Sequence, residues 1–174
     1  KYVEDMDTFR YLTLLFLLKE KNLLLFSIWN PTFLTVLIEF FNLNKENLVQ
    51  DLLERKITYA NKKLEPSLEK KLLKKLGNTK KRARELSKII NAYTQEAKSH
   101  FEKIWPELKY ISCWDSANAS LYIDKLQDYF PGVNIIGKGL LATEAFISFP
   151  LLHYDGYALS YRAHFYEFID IDEN

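Results

Sequence analysis

The sequence predicts an α/β fold in which a mixed sheet is flanked by helices, with a mostly helical segment set into it at about residues 44–105. Three observations point there. Two short apolar runs, residues 23–29 and 108–114, each carry the pattern Ser-x-Trp-Asn/Asp at their end and lead straight into a helical stretch. Between them the composition shifts to charged residues with leucines at helical spacing. After them come short aromatic-rich runs of the kind that pair as antiparallel strands.

Taken in order, residues 7–19 place Phe9, Leu12 and Phe16 among apolar neighbours, which predicts a helix buried on most sides. Residues 23–29 then read as an interior strand. Asn30 and Pro31 follow as an N-cap and first helical residue, the placement expected where a strand turns directly into a helix. The helix predicted over residues 31–41 carries Phe33, Leu34, Val36, Leu37, Ile38, Phe40 and Phe41, too many apolar groups for one face, so it is expected to pack on two sides.

From residue 44 onward Leu48, Leu52 and Leu53 mark one helix and Leu68, Leu72, Leu73 and Leu76 the next, with Gly77 as its stop. A further helix repeats Ala83, Leu86, Ile89 or Ile90, Tyr93, Ala97, Phe101 and Ile104 as a single apolar stripe. Residues 108–114 read as a second interior strand. Asp115 or Ser116 then caps a helix that buries Leu121, Tyr122, Leu126, Tyr129 and Phe130 and is ended by Pro131. Phe146, Ile147 and Phe149 read as a buried strand, which would hold Thr143 and Glu144 at its edge. Residues 157–161 and 164–171 read as short antiparallel strands, with a turn at residues 153–156.

The 174 residues amount to one domain's worth of chain, and 48% hydrophobic with 15% aromatic content suffices for a substantial core. No Gly/Ser or Pro-rich linker divides it, so residues 1–174 are read as a single unit containing the helical segment. The formal charge of +1 argues against a wholesale polyanion binder. Yet residues 62–88 hold 11 Lys or Arg against three Glu. The run Lys80-Lys81-Arg82-Ala83-Arg84 fits either the solvated face of amphipathic helices or a grip on RNA or an acidic partner. The second option makes the chain a non-catalytic interaction module. A single cysteine, Cys113, fits a reducing compartment, and a cytoplasmic location is expected. Lys19, Glu20, Lys21 and Asn22 interrupt the apolar N-terminal region before it reaches the roughly 20 residues that a membrane span needs.

Chemistry is best sought at Thr143 and Glu144. A hydroxyl can donate to a phosphate oxygen, and the adjacent carboxylate can hold a magnesium ion that accompanies phosphates. The same pair also fits a turn that satisfies backbone groups. The two Ser-x-Trp turns are expected to face one crevice at the carboxyl ends of their strands, where open α/β sheets place ligands; each Trp also fits a core position. Cys113 has no base beside it, and His100, His153 and His164 show no ligand spacing.

The run Pro131-Gly132-Val133-Asn134-Ile135-Ile136-Gly137-Lys138-Gly139-Leu140-Leu141-Ala142-Thr143-Glu144 closely resembles the Gretchen Hagen family, the auxin-responsive acyl-acid amido synthetases, in its bacterial branch. Trp105-Pro106-Glu107-Leu108-Lys109-Tyr110-Ile111-Ser112-Cys113-Trp114 resembles that family's strand before the nucleotide site. Trp29-Asn30-Pro31-Thr32-Phe33-Leu34 resembles an earlier strand-to-helix turn, and His164-Phe165-Tyr166-Glu167-Phe168-Ile169 a later aromatic strand. These stretches occur in the family's order.

The resemblance implies part of the large N-terminal domain of acyl-adenylate-forming enzymes. It implies adenylation of a small carboxylic acid by ATP with Mg2+, then transfer of the acyl group to the amine of an amino acid. Thr143 would contact the α-phosphate and Glu144 the magnesium, while Leu141 and Ala142 would lie against the nucleotide. Leu140 stands where the family commonly has an aromatic ring, so apolar contact would replace stacking on adenine. Trp114, Asp115 and Ser116 would line the same crevice, with the helix amides after Ser116 turned to an anion. Phe33 and Leu34 would border the acyl pocket. The family's Ser/Thr/Gly-rich phosphate loop is expected before Lys1 and its Tyr-Arg-x-Gly-Asp motif after Asn174. The chain then reads as an internal fragment, inactive alone, that needs the rest of its parent on both sides.

Overall fold

In a computed structural model, which describes residues 3–59, 64–92, 101–151, 154 and 156–170, the two Ser-x-Trp runs become adjacent parallel strands. β1 (Leu25–Ser27) pairs with β2 (Tyr110–Cys113), and β2 pairs with β3 (Asn134–Gly137) in the order β1-β2-β3. Ser27 stands opposite Ser112, so the two turns emerge side by side. The strands are shorter than the apolar runs predicted. They are also buried on one face only among the described residues: Phe26 and Ile111 point into the core, while Leu25, Tyr110 and Ile136 are exposed. The reading of two fully interior strands is corrected to that extent.

α1 (Met6–Lys19) starts where the Asp5 carboxylate accepts from the Thr8 amide at 2.7 Å, and it buries Tyr11, Leu14, Leu15 and Leu18. The Asn30 side chain caps α2 as predicted, accepting from the Thr32 amide at 2.9 Å with Pro31 in the first turn. The helix does not end at residue 41. It runs on as α2 (Pro31–Glu54), because the polar stretch after Phe41 holds no Gly or Pro and simply faces solvent. Arg55, in the left-handed region at φ 59°, terminates it.

α3 (Pro66–Leu76) stops at Gly77, whose φ of 68° fits the predicted glycine stop. α4 (Lys80–Asn91) and α5 (Phe101–Ile104) belong to the predicted apolar stripe, whose Tyr93 and Ala97 lie outside the described residues. The helical segment is no satellite. Leu48, Leu52, Leu76, Ala83 and Leu86 share one core with Phe26, Ile111 and Phe130 of the sheet side. Phe101 joins the two parts, its ring 5.6 Å from Phe41 and 5.4 Å from Phe130.

One member of the basic run is structural. Arg82 is buried, and its guanidinium donates to the carbonyl of Leu18 at 2.9 Å and to that of Ile104, while pairing with Glu85 at 3.1 Å. The Trp105 indole donates to the Leu17 carbonyl at 3.1 Å, so two side chains satisfy the end of α1. Lys80, Lys81 and Arg84 remain exposed.

The helix predicted after residue 116 divides in two. A 3-10 helix (Ala117–Tyr122) precedes α6 (Ile123–Tyr129). Its three residues per turn rotate the apolar stripe away from the core, leaving Leu121 77% exposed and Tyr122 exposed as well; both were predicted buried. Leu126 and Phe130 are fully buried, in agreement with the pattern.

The antiparallel part forms a second sheet. β4 (Ser148–Pro150) pairs only with β5 (Tyr157–Leu159), and Phe146, predicted buried, is exposed. Residues 164–170 form no strand, leaving Phe165, Phe168 and Ile169 exposed; without an edge to pair with, β propensity alone does not order a strand. Most of the predicted turn at residues 153–156 and residue 171 lie outside the described residues.

Candidate functional site

The carboxyl ends of β1 and β2 are tied together beyond the strands themselves. The Ile28 amide donates to the Ser112 carbonyl at 2.9 Å, and the Trp114 amide donates to the Trp29 carbonyl at 2.7 Å. This brings the Trp29 and Trp114 rings to 5.4 Å, tilted by 56°. Neither ring is in the core. Trp29 is 60% and Trp114 38% exposed, so the core reading of both tryptophans is set aside.

Beside this pair lies a crevice of about 430 Å3. Asn30 contributes from the start of α2, and Trp114, Asp115, Ser116 and Asn118 from the turn after β2. Gly139 and Leu140 border it from the segment after β3, and Ser148 and Tyr157 from the small sheet. Trp114, Asp115, Ser116 and Leu140 were the residues singled out from sequence. Asn30 was read only as a cap, although its place in the repeated turn was a signal. Tyr157 and Ser148 carried none.

The Asp115 carboxylate accepts from the Tyr157 hydroxyl and, at 3.2 Å, from Ser116 Oγ. Burial and then Asp115 push the Tyr157 hydroxyl up to about 12. Burial, with Asp115 adding to it, pushes the Cys113 thiol up to about 11; it is fully buried and no nucleophile at neutral pH. Gly137 lies under this junction. A Cβ there would strike the Tyr157 hydroxyl and the Asp115 carboxylate, so only glycine fits. Gly139 sits at φ 70°, and a Cβ on it would strike the Ser148 carbonyl.

The turn after β2 offers no regular helix N-terminus to an anion. Ser116 makes no capping bond through its side chain, Ala117 is left-handed at φ 51°, and a 3-10 turn follows. The amide-cradle expectation after Ser116 is corrected accordingly.

Thr143 and Glu144 occupy a hairpin tip, not a strand edge. The Ala142 amide donates to the Ala145 carbonyl at 2.9 Å, and Leu141 bridges Phe146, which closes a tight turn around the exposed pair. Leu141, Ala142, Thr143 and Glu144 border a second, shallower depression of about 300 Å3 together with Trp29 and His164. Trp29 thus borders one depression and Trp114 the other. Leu34 is buried in the core and Phe33 is exposed on α2; among the described residues neither borders either depression.

An exposed aromatic pair and a polar-rimmed crevice at the carboxyl edge of a parallel sheet define a ligand-binding α/β domain. The profile of the GH3 family N-terminal domain matches residues 2–135, and the chain belongs to that family, the one its motifs resemble. The matched span ends before Thr143 and Glu144. The fold is similar to that of a GH3.15 acyl acid amido synthetase at 17% identity and a TM-score of 0.70, over 83% of this chain and 26% of that one. It is also similar to AtGH3.15 acyl acid amido synthetase in complex with 2,4-DB, at 18% identity and a TM-score of 0.66, over 83% and 25% of the two chains. The chain therefore spans about a quarter of each of those structures. Among curated proteins no sequence matches. No helix of the described residues is long and apolar enough to cross a membrane.

Proposed function

We propose that this chain forms part of an ATP-dependent acyl-acid amido synthetase of the cytoplasm, in the region that binds nucleotide and acyl acid. The observation that carries this reading is the pair of Ser-x-Trp turns, brought into register at the carboxyl edge of the sheet beside a crevice, in a chain of this family. In the first step the carboxylate of a small acid attacks the α-phosphorus of ATP, and pyrophosphate leaves. In the second the amine of an amino acid attacks the acyl carbon, and AMP leaves. No enzyme nucleophile takes part, in keeping with the inert Cys113.

Trp114, Asp115, Ser116 and Leu140 form the wall against which the nucleotide lies. Thr143 donates to the α-phosphate, and Leu141 and Ala142 approach the nucleotide's near edge. Phe33 has free surface to offer an acyl group; Leu34 supports it from the core.

Among the described residues no group of three or more His, Cys, Asp or Glu could hold a metal. Glu144, a single exposed carboxylate, nevertheless suits magnesium carried on phosphates, which takes one or two carboxylates from a protein. Bound there, magnesium supplies neutralisation of phosphate charge.

ATP–pyrophosphate exchange by the full-length gene product, with a panel of aromatic and aliphatic acids, tests the reading. Acid-dependent exchange that Glu144→Ala loses is the expected result. Absence of exchange with every acid would count against adenylation.

A further inference from the structure

Lys138 follows β3 and reaches back over the end of β2 to β1. Its Nζ donates to Ser27 Oγ at 3.0 Å and lies 5.7 Å from the centre of the Trp29 ring. The ammonium is therefore held above the carboxyl edge of all three strands, beside the tryptophan pair that borders both depressions.

Its surroundings are unusual for a lysine placed this way. An ammonium has three donors, and Ser27 accepts one hydrogen bond. The ring face fixes the cation without neutralising it. No carboxylate of the described residues lies within 4.0 Å of Nζ. By contrast, Lys21, Lys56 and Lys125 each pair with a glutamate. A half-buried cation, immobilised by a hydroxyl and a ring and lacking a countercharge, is suited to receive an anion.

We propose that the Lys138 ammonium is an oxyanion-binding group of this site, receiving either the carboxylate of the acid or a phosphate oxygen of the nucleotide. The assignment deepens the adenylation reading and rests on it for the identity of the anion, but not for the existence of the anion site.

The test uses the full-length gene product as wild type, Lys138→Met and Lys138→Arg. Methionine keeps an apolar stem over Trp29 and removes the charge; arginine keeps the charge. Calorimetric binding of inorganic pyrophosphate and of benzoate is measured for each, beside exchange kinetics with ATP or acid varied. Lys138→Met should bind at least one probe about tenfold or more weakly, a loss that Lys138→Arg largely restores, at unchanged melting temperature. A rise of KM confined to ATP identifies the phosphate, and one confined to the acid identifies the carboxylate. Equal binding of both probes by wild type and Lys138→Met, or binding of neither probe by wild type, overturns the assignment. Weakened pyrophosphate binding in Lys138→Met, in a protein whose wild type shows no exchange, would sink adenylation and leave the oxyanion site standing.

Discussion

Tyr157, the first residue of β5, donates its hydroxyl hydrogen bond to Asp115, two residues beyond β2, so that the small sheet is tied to the carboxyl edge of the parallel one. The two sheets share no strand, and this bond crosses the crevice both of them border.

The bond sets a pH dependence. The folded Tyr157 hydroxyl, raised to about 12, lies above its ordinary value near 10, so folding favours the protonated form. Its contribution is complete below about pH 10 and is lost as pH rises through about 12. Tyr11 is raised in the same direction, by burial and by its bond to Asp51, and adds to the alkaline loss. Tyr157→Phe should therefore lose less stability than wild type between about pH 9 and about pH 11 in urea titrations. Parallel losses in the two proteins would show that Asp115 does not hold the hydroxyl.

Gly137→Ala should destabilise by about 1–3 kcal/mol, since the added methyl meets the Tyr157 hydroxyl and the Asp115 carboxylate. Removing the hydroxyl relieves part of that clash. The double variant Gly137→Ala/Tyr157→Phe should then be less destabilised than the sum of the singles, by equilibrium unfolding. Strict additivity would place the strain elsewhere.

Arg82→Ala should cost roughly 2–4 kcal/mol, because it strips donors from the Leu18 and Ile104 carbonyls and leaves a gap in a buried junction. Arg82→Lys should recover only part, as a single ammonium lacks the fork that spans two carbonyls. Lys80→Ala, Lys81→Ala and Arg84→Ala, all at exposed positions, should stay within about 0.5 kcal/mol of wild type. Comparable losses at all four would contradict the separate role of Arg82.

Thr143→Ala and Glu144→Ala should separate stability from activity. Both side chains are exposed at a hairpin tip, so unfolding free energies should change by less than about 0.5 kcal/mol. If Thr143 and Glu144 meet the phosphates and their magnesium, exchange by the full-length gene product should fall about a hundredfold or more. Retained exchange in both variants would move the phosphate contacts to other residues, Lys138 first among them.

Several of these relationships were legible before any coordinates. Asn30-Pro31 is a cap followed by a first-turn proline, and the structure has both. Gly77 ends a helix because the backbone there needs a positive φ. The two Ser-x-Trp patterns foretold strand ends facing one crevice, and their register is Ser27 against Ser112. Other expectations failed for identifiable reasons. Asn42, Asn44 and Asn47 suggested a break but lie within α2, with the Asn44 side chain donating to the Phe40 carbonyl at 2.9 Å. Leu121 and Tyr122 followed a helical stripe that the 3-10 geometry turned outward.

What the sequence by itself determined, then, is what depends on neighbours in the chain: caps, stops, the period of apolar positions and the turns that end the strands. Tertiary structure decided what depends on residues far apart. Arg82 is set against Leu18, 64 positions away, Lys138 against Ser27, 111 away, and Tyr157 against Asp115, 42 away. A guanidinium reads as a surface charge, and a tyrosine as a strand residue, until topology brings an acceptor to it. Composition sets how many such donors exist, but strand order and register choose their partners, and the geometry of the crevice follows from that choice.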